Sequence, residues 1–184
     1  MHNNFPNIYY FINRFNGEHI KSLPKNIALI YRNYEEKANI SLIKKIRDFC
    51  KIYNRKFYLA ENFKLAISLN LDGVYIPAFN NSFNVKFYNL KKKFIILGSA
   101  HNIREINIKL LQKIDILFIS PLFDSKLKKG INILEFRKLA SYCNCKIVAL
   151  GGINKKNFKK LSLLNISGFA GITFFCKKKK RPIN

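Results

Sequence analysis

Eight short apolar runs, separated by helical or linking segments, constrain the fold of this 184-residue chain more than any other feature. Continuous apolar runs are typical of parallel strands that are buried on both faces. The predicted strands are Ile8–Ile12, Ile27–Tyr31, Lys56–Ala60, Gly73–Ile76, Phe94–Gly98, Asp115–Ile119, Lys146–Leu150 and Gly168–Phe174. Eight strands that alternate with helices predict a closed (β/α)₈ barrel, the TIM barrel, and an open doubly wound sheet is the structural alternative.

Segments with helical spacing lie between most of these strands. Residues Ala38–Tyr53 place Ile40, Ile43 and Ile46 on one face, which predicts an amphipathic helix. The other predicted helices are His19–Leu23, Asn62–Leu69, Ile103–Lys113, Ile133–Tyr142 and Asn157–Leu164. The segment Ala78–Leu90 is weakly patterned. The last helix is truncated, so we expect one barrel domain over residues 1–184 with a basic tail at about 176–184.

The charge of the chain is strongly positive, with 34 Lys and Arg against 10 Asp and Glu. A net charge of +24 is one sign of a nucleic-acid partner. However, the basic residues are spread over the predicted outer helices, the sole dense run is Lys177–Arg181, and no aromatic RNA-binding signature occurs. We therefore favour a compositional origin of the charge over nucleic-acid binding.

The chain shows no targeting or membrane signal. It has no run of 18 apolar residues, and its polar start does not resemble a secretory signal. Four cysteines without a CxxC pair favour reduced thiols and a cytoplasmic location. Cys143 and Cys145 form a CxC sequence, which we interpret as loop residues; a metal or redox element is the alternative.

The active site of a (β/α)₈ barrel lies at the carboxyl ends of its strands. Arg32 follows the second strand and could hold a phosphate. After the third strand, Glu61 could hold Mg²⁺, or Asn62 could simply cap the next helix. Ser99 and His101 lie at the end of the fifth strand, where the hydroxyl could bind a ligand and the imidazole could act as an acid–base.

The last three strand ends favour an anionic ligand. The loop after the sixth strand carries hydroxyl and ammonium groups, including those of Ser125 and Lys128. Gly151 and Gly152 follow the seventh strand and allow close approach of the backbone to a phosphate, with free N–H groups of the next helix beyond. Gly171 and Thr173, on the predicted eighth strand, could complete this pocket.

Four stretches, in their order and spacing, resemble the thiamine-phosphate synthase superfamily, which also contains the thiazole tautomerases. These stretches are LAISLNLDGVYIP (Leu65–Pro77), IILGSAHN (Ile95–Asn102), the segment DILFISPLF…SKLKKG (Asp115–Gly130) and VALGGIN (Val148–Asn154). The resemblance implies that a phosphorylated thiazole nitrogen attacks the methylene of hydroxymethylpyrimidine diphosphate. Diphosphate would then leave with the help of Mg²⁺, so the implied partners are these two small substrates.

The resemblance carries site residues over only in part. The family's Gln-x-Arg-x-Lys pattern after the second strand retains Arg32, and Tyr34 stands at the lysine position. Glu61 stands at one metal-binding aspartate and Asn80 at the second. Ser99 matches the family serine, Ser125 and Lys128 match a hydroxyl and the lysine of the Thr-x-Thr-Lys loop, and Gly151 and Gly152 match the Gly-Gly pair.

Two other functions stay open at this point. Thiazole tautomerases share the barrel and need no metal, and His101 stands where their proton-moving histidine would lie. The chain could also be a non-catalytic protein that binds a phosphorylated ligand or a nucleic acid. A thinly covered barrel flank beside the truncated last helix leaves room for a homodimer contact.

Overall fold

The computed structural model describes residues 7–34, 39–83, 89–125 and 128–175. Eight parallel strands close into one barrel in sequence order, with β1 paired to both β2 and β8. The strands are β1 (Asn7–Ile12), β2 (Ile27–Tyr31), β3 (Phe57–Ala60), β4 (Gly73–Ile76), β5 (Ile95–Ala100), β6 (Ile116–Ile119), β7 (Lys146–Leu150) and β8 (Gly168–Gly171). The predicted closed barrel is confirmed, and the open sheet is excluded.

Five α-helices surround the barrel in the part of the chain that is described. They are α1 (Gly17–Lys21), α2 (Ile40–Ile52), α3 (Phe63–Ser68), α4 (Ile103–Leu111) and α5 (Asn132–Ala140). The first four begin at an asparagine whose side-chain oxygen accepts a hydrogen bond from a backbone N–H in the first turn. These caps are Asn16, Asn39, Asn62 and Asn102. The abundant asparagine thus satisfies N–H groups that a helix start leaves without partners.

Apolar side chains form two layers because both faces of each strand are covered. The inner layer fills the barrel and includes Tyr9, Phe11, Tyr58, Tyr75 and Phe118. Their rings meet in edge-on or tilted arrangements, such as Tyr9 against Phe118 at 4.9 Å between centroids. The outer layer joins the strands to the helices. The interior is therefore packed, and the opening at the carboxyl ends of the strands is left for a ligand.

The end of the barrel differs from the sequence prediction. The eighth strand ends at Gly171, so Thr173 lies in an exposed turn and its placement on that strand is wrong. The reason is aromatic packing: Phe174 and Phe175 turn back onto Phe169 at centroid distances of 5.1 and 6.0 Å. Within the described residues no helix follows β8. The basic tail from 176 onwards, with Lys177–Arg181, lies outside those residues.

Two further predictions need correction. The predicted helix Asn157–Leu164 is a short 3₁₀ helix over Phe158–Leu163. Cys143 and Cys145 are loop residues as expected, but the structure joins them as a disulfide instead of leaving them reduced. Their Cα atoms lie 5.5 Å apart, a separation within the usual range for a disulfide.

Among the helices of the described ranges, none combines the length and the apolar character that a bilayer crossing requires.

Candidate functional site

A cavity of about 380 Å³, lined by both polar and apolar side chains, opens at the carboxyl ends of the strands. Four side chains that the sequence singles out line it together: Arg32, Ser99, His101 and Lys128. They come from the ends of β2 and β5 and from the loop after β6. The cavity wall also includes Tyr34, Tyr75, Pro77, Ala78, Phe79, Glu105, Ser120 and Leu150.

The floor of the cavity holds a buried pair of hydroxyl groups. The phenol of Tyr75 donates a hydrogen bond of 2.8 Å to Oγ of Ser99, and both residues are almost fully buried. Burial raises the pKa of Tyr75, while Ser99 and the guanidinium of Arg32 act in the opposite direction. The phenol therefore stays protonated, and the Ser99 hydroxyl keeps its own proton to donate to a ligand. Nothing in the sequence motifs pointed to Tyr75.

His101 has a defined orientation at the cavity wall. Its Nδ1 lies 2.7 Å from the backbone oxygen of Ser120 and 3.1 Å from the Ser120 hydroxyl. Because a carbonyl oxygen can only accept, the short contact places the proton on Nδ1. Its backbone N–H donates to the Glu105 carboxylate at 2.7 Å, which fixes the residue at the start of α4. Nε2 is then the ring atom with a free lone pair in the neutral imidazole.

The two positions that correspond to metal-binding carboxylates in the family lie in contact. The Asn80 amide donates to Oε1 of Glu61 at 3.0 Å, and Oδ1 of Asn80 accepts from the backbone N–H of Ser82 at 2.9 Å. Glu61 has a φ of 61°, in the left-handed region. Asn62 caps α3 while the Glu61 side chain accepts a hydrogen bond from Asn80, so helix capping by Asn62 does not exclude metal binding by Glu61.

A buried cation binds the loop that carries Asn80, next to the Glu61–Asn80 contact, which we call the corner of the site. Lys109 on α4 is fully buried, and its ammonium group donates to the backbone oxygen of Asn80 at 2.6 Å and to Oε1 of Gln112 at 2.9 Å. The Gln112 amide donates to the same Asn80 oxygen at 3.0 Å and to that of Ser82 at 2.8 Å. Burial lowers the pKa of Lys109 to about 8 against the influence of Glu105 and Glu61. This pair anchors the loop after β4.

The donor set at Glu61 provides limited support for magnesium. One oxygen of Glu61 is engaged by Asn80, the side-chain oxygen of Asn80 is engaged by Ser82, and no cluster of three ligating side chains occurs among the described residues. The second oxygen of Glu61 is outside the Asn80 contact. Mg²⁺ is commonly held by one or two carboxylates together with substrate phosphates and water. Magnesium at Glu61 is compatible with this arrangement and stays a prediction.

Gly151 and Gly152 serve packing between the loops after β7 and β6. Their φ angles are 91° and 66°, and a Cβ on Gly152 would lie 2.1 Å from the backbone oxygen of Phe123. Backbone N–H groups of the turn after them are bonded to asparagine side chains, as in Asn154 N–H to Asn157 Oδ1 at 2.8 Å. The pair therefore has a packing role here, and phosphate binding by it stays a prediction.

The remaining predicted phosphate ligands are placed apart from the cavity wall described above. The Ser125 hydroxyl accepts from the Lys128 backbone N–H at 3.1 Å, so it shapes the loop that carries the lysine. Gly171 is buried at the end of β8, and Thr173 is exposed in the following turn. Their role in phosphate binding stays a prediction.

Two aromatic side chains at the cavity rim were not predicted. Tyr34 and Phe79 each follow the end of a strand by three residues and lie edge-on to each other, with 5.5 Å between ring centroids. Both are largely exposed, at 49% and 64%. The sequence does contain a signal that could have identified both residues, namely an aromatic residue three positions after a strand end.

A closed parallel barrel with titratable and cationic side chains at its carboxyl end defines the class of (β/α)₈ barrel proteins that act on ligands at this face. The family model described as thiamine monophosphate synthase matches residues 20–175. The chain belongs to this thiamine monophosphate synthase family.

Curated relatives are distant in sequence. A thiamine-phosphate synthase of Methanococcus vannielii is 25% identical over 150 residues, covering 80% of this chain and 72% of the relative. A thiamine-phosphate synthase of Prochlorococcus marinus is 29% identical over 171 residues, covering 88% of this chain and 49% of the relative. The chain thus spans about half of that second protein.

A solved structure supports the fold. The thiamine phosphate pyrophosphorylase from Pyrococcus furiosus superposes with a TM-score of 0.73 at 19% identity, over 93% of this chain and 87% of the other. The family match and the names of the curated relatives indicate a thiamine-phosphate synthase-like enzyme of thiamine biosynthesis.

Proposed function

We propose that the chain joins hydroxymethylpyrimidine diphosphate to a thiazole phosphate, giving thiamine phosphate and diphosphate. The observation that carries this proposal is the convergence of Arg32, Ser99, His101 and Lys128 on one cavity at the strand ends. In the reaction, the thiazole nitrogen forms a bond to the pyrimidine methylene carbon. The carbon–oxygen bond to diphosphate breaks, and its electron pair leaves with the diphosphate.

The side chains at the cavity have distinct roles in this scheme. Arg32 and Lys128 supply positive charge for the leaving diphosphate, whose negative charge grows as the bond breaks. The Ser99 hydroxyl, which accepts from Tyr75, donates to the pyrimidine substrate. When magnesium is bound at Glu61, it supplies further neutralisation of the diphosphate. Most of the acceleration then comes from positioning and electrostatic stabilisation.

The test is a coupled assay with both substrates, with and without Mg²⁺, in which thiamine phosphate is measured by fluorescence after oxidation. We expect Arg32→Met and Lys128→Met to lower kcat/KM by roughly 100-fold or more. Lys129→Met is the matched control, since it removes an adjacent exposed lysine outside the cavity wall. No product from the wild-type protein at high concentration, under either condition, would refute the synthase proposal.

Magnesium has its own test. Glu61→Gln keeps an oxygen that can accept from Asn80 but removes the charge. We expect it to raise the Mg²⁺ concentration that gives half-maximal activity by about tenfold or more. An unchanged Mg²⁺ response would show that Glu61 does not hold the metal.

A second candidate function is isomerisation of a thiazole phosphate without a metal. It is favoured by one observation, the orientation of His101 with its Nδ1 directed at the Ser120 carbonyl oxygen. Nε2 could then take a proton from one carbon of the ring and return it to another. We expect His101→Ala to lower isomerisation at least 100-fold while the dissociation constant of the product stays within about twofold. An unchanged isomerisation rate would exclude this function.

A further inference from the structure

The rim of the cavity presents aromatic surface to solvent. Phe79 is 64% exposed and Tyr34 is 49% exposed, although both belong to the wall of the cavity. Two aromatic rings in contact at the mouth of a cavity present apolar surface that a bound ligand would remove from water. The two rings meet edge-on, with an interplanar angle of 72°, and both residues contribute to the lining of the cavity.

A cation lies beside this aromatic surface. The guanidinium carbon of Arg32 is 5.8 Å from the centroid of Tyr34 and 4.9 Å from that of Phe11. Arg32 and Tyr34 also line a second cavity of about 230 Å³. A ligand that rests on the aromatic rings therefore has an anion-binding group within reach.

Tyr34 adds no charge to the site. Partial burial and the neighbouring Tyr75 raise the pKa of the Tyr34 phenol above its usual value, so the ring is neutral at physiological pH. At the position where the resembled family carries a lysine, this chain has a flat neutral ring. Compared with a lysine, this ring offers a diphosphate no positive charge and offers a planar ligand a stacking surface.

From this arrangement we infer that Tyr34 and Phe79 form an aromatic subsite that binds the planar ring of a nitrogen heterocycle, a pyrimidine, beside the Arg32 guanidinium. The inference rests on the proposed function, because it assigns the ring of one substrate to the rim of the same cavity. Affinity at the subsite comes from stacking on the rings, and the charge of the ligand is met separately by Arg32.

Two probes separate ring binding from charge binding. Hydroxymethylpyrimidine without phosphate reports the ring, and inorganic diphosphate reports the cations. Each is titrated calorimetrically into the wild-type protein and into Phe79→Ala and Tyr34→Ala. Tyr142→Ala is the matched control, because Tyr142 is similarly exposed, at 47%, but lies outside the cavity wall. Melting temperatures and circular dichroism verify folding of every variant.

We expect Phe79→Ala and Tyr34→Ala to weaken pyrimidine binding about tenfold, equal to about 1.4 kcal/mol, with diphosphate binding within twofold of the wild type. Tyr142→Ala should bind both probes like the wild type. Phe79→Leu keeps apolar volume but removes the ring, so it should lose most of the pyrimidine affinity. Tyr34→Lys should bind diphosphate more tightly and pyrimidine more weakly.

Several results would overturn the subsite. They are undetectable pyrimidine binding by the wild type, wild-type affinity in Phe79→Ala, or wild-type affinity in Phe79→Leu. The two proposals fail in distinguishable ways. Ring-dependent pyrimidine binding without any thiamine phosphate formation would retain the subsite and reject the synthase. Synthase activity with an unchanged pyrimidine affinity in Phe79→Ala would retain the synthase proposal and reject the aromatic subsite.

Discussion

Replacing Lys109 by methionine tests whether burial between α4 and the barrel lowers the pKa of this ammonium group. The lysine stem passes over Gly98, where a Cβ would lie 3.2 Å from Lys109 Cδ, and its ammonium group reaches the Asn80 carbonyl oxygen at 2.6 Å. The pKa of the group falls from 10.5 to about 8 because burial disfavours the charged form. This difference corresponds to roughly 3 kcal/mol of destabilisation of the folded state at neutral pH.

The lowered pKa of Lys109 predicts that the free energy of unfolding rises with pH on the alkaline side. Since the folded-state pKa of Lys109 lies below the unfolded value, the native protein loses this proton first as the pH rises. Between about pH 8 and 10.5 the unfolded chain holds more protons, so the free energy of unfolding rises by up to about 1.4 kcal/mol per pH unit. Below pH 8 both states are protonated, and the full cost of burying the charge is present.

Methionine at position 109 removes this titration. It relieves roughly 3 kcal/mol of charge burial, but leaves the Gln112 side-chain oxygen without its ammonium donor, which costs about 1–3 kcal/mol. The Asn80 carbonyl keeps the Gln112 amide as a donor at 3.0 Å. We therefore expect Lys109→Met to differ little from the wild type at pH 7 and to lack its rise in stability above pH 8.

Urea denaturation at pH 7, 8, 9 and 9.5 measures this difference, with Lys64→Met as a control on an exposed helical lysine. Comparison of the variants cancels groups that titrate in both, including tyrosines whose pKa is raised by burial, such as Tyr9 and Tyr58. Parallel curves for wild type and Lys109→Met over this range, within about 0.5 kcal/mol, would refute the assignment of a depressed pKa to Lys109.

Three further substitutions test the corner, the loop packing and the opposite end of the barrel. Asn80→Asp should lower stability by about 1–2 kcal/mol through repulsion of Glu61, and added Mg²⁺ should raise its melting temperature more than that of the wild type; an equal response would contradict a two-carboxylate site. Gly152→Ala should cost roughly 2–4 kcal/mol in chemical denaturation, because its φ is positive and its Cβ would clash with backbone atoms, whereas Gly17→Ala, whose Cβ would meet only the Phe49 and Phe15 rings at 3.3 and 3.4 Å, should have a clearly smaller effect. Arg55→Met should cost about 3 kcal/mol or more in the same assay, because the buried guanidinium donates to four backbone carbonyl oxygens; a loss below 1 kcal/mol would contradict this.

Hydrophobic pattern predicts most of the fold because every strand is buried on both faces. The bounds of β2, β4 and β7 agree with the sequence prediction to the residue. The pattern fails at β8, since the apolar run through Phe174 continues past the last pairing at Gly171. There the aromatic residues pack back on the barrel, and an apolar run cannot distinguish this from a longer strand.

The site is less predictable than the fold because its contacts join distant parts of the chain. The strand-end rule places Arg32, Ser99, His101 and Lys128 at one face, and they do line one cavity. Lys109 could not be found in this way. A lysine on a helix is usually interpreted as solvated, and its burial depends on a facing glycine on β5 and an acceptor in the loop after β4.

The contact between Glu61 and Asn80 shows how a neutral amide can take the place of a second metal-binding carboxylate of the family. The amide of Asn80 donates to Glu61 at 3.0 Å, where a second carboxylate would require a cation to offset repulsion. Behind it, Lys109 and Gln112 both donate to the Asn80 backbone oxygen, which fixes the loop without a metal. The negative charge of Glu61 is thus met by a hydrogen-bond donor and a nearby ammonium group. In this chain, protein groups on their own supply hydrogen-bond partners for Glu61 and for the backbone of Asn80, and a magnesium ion at Glu61 stays a prediction.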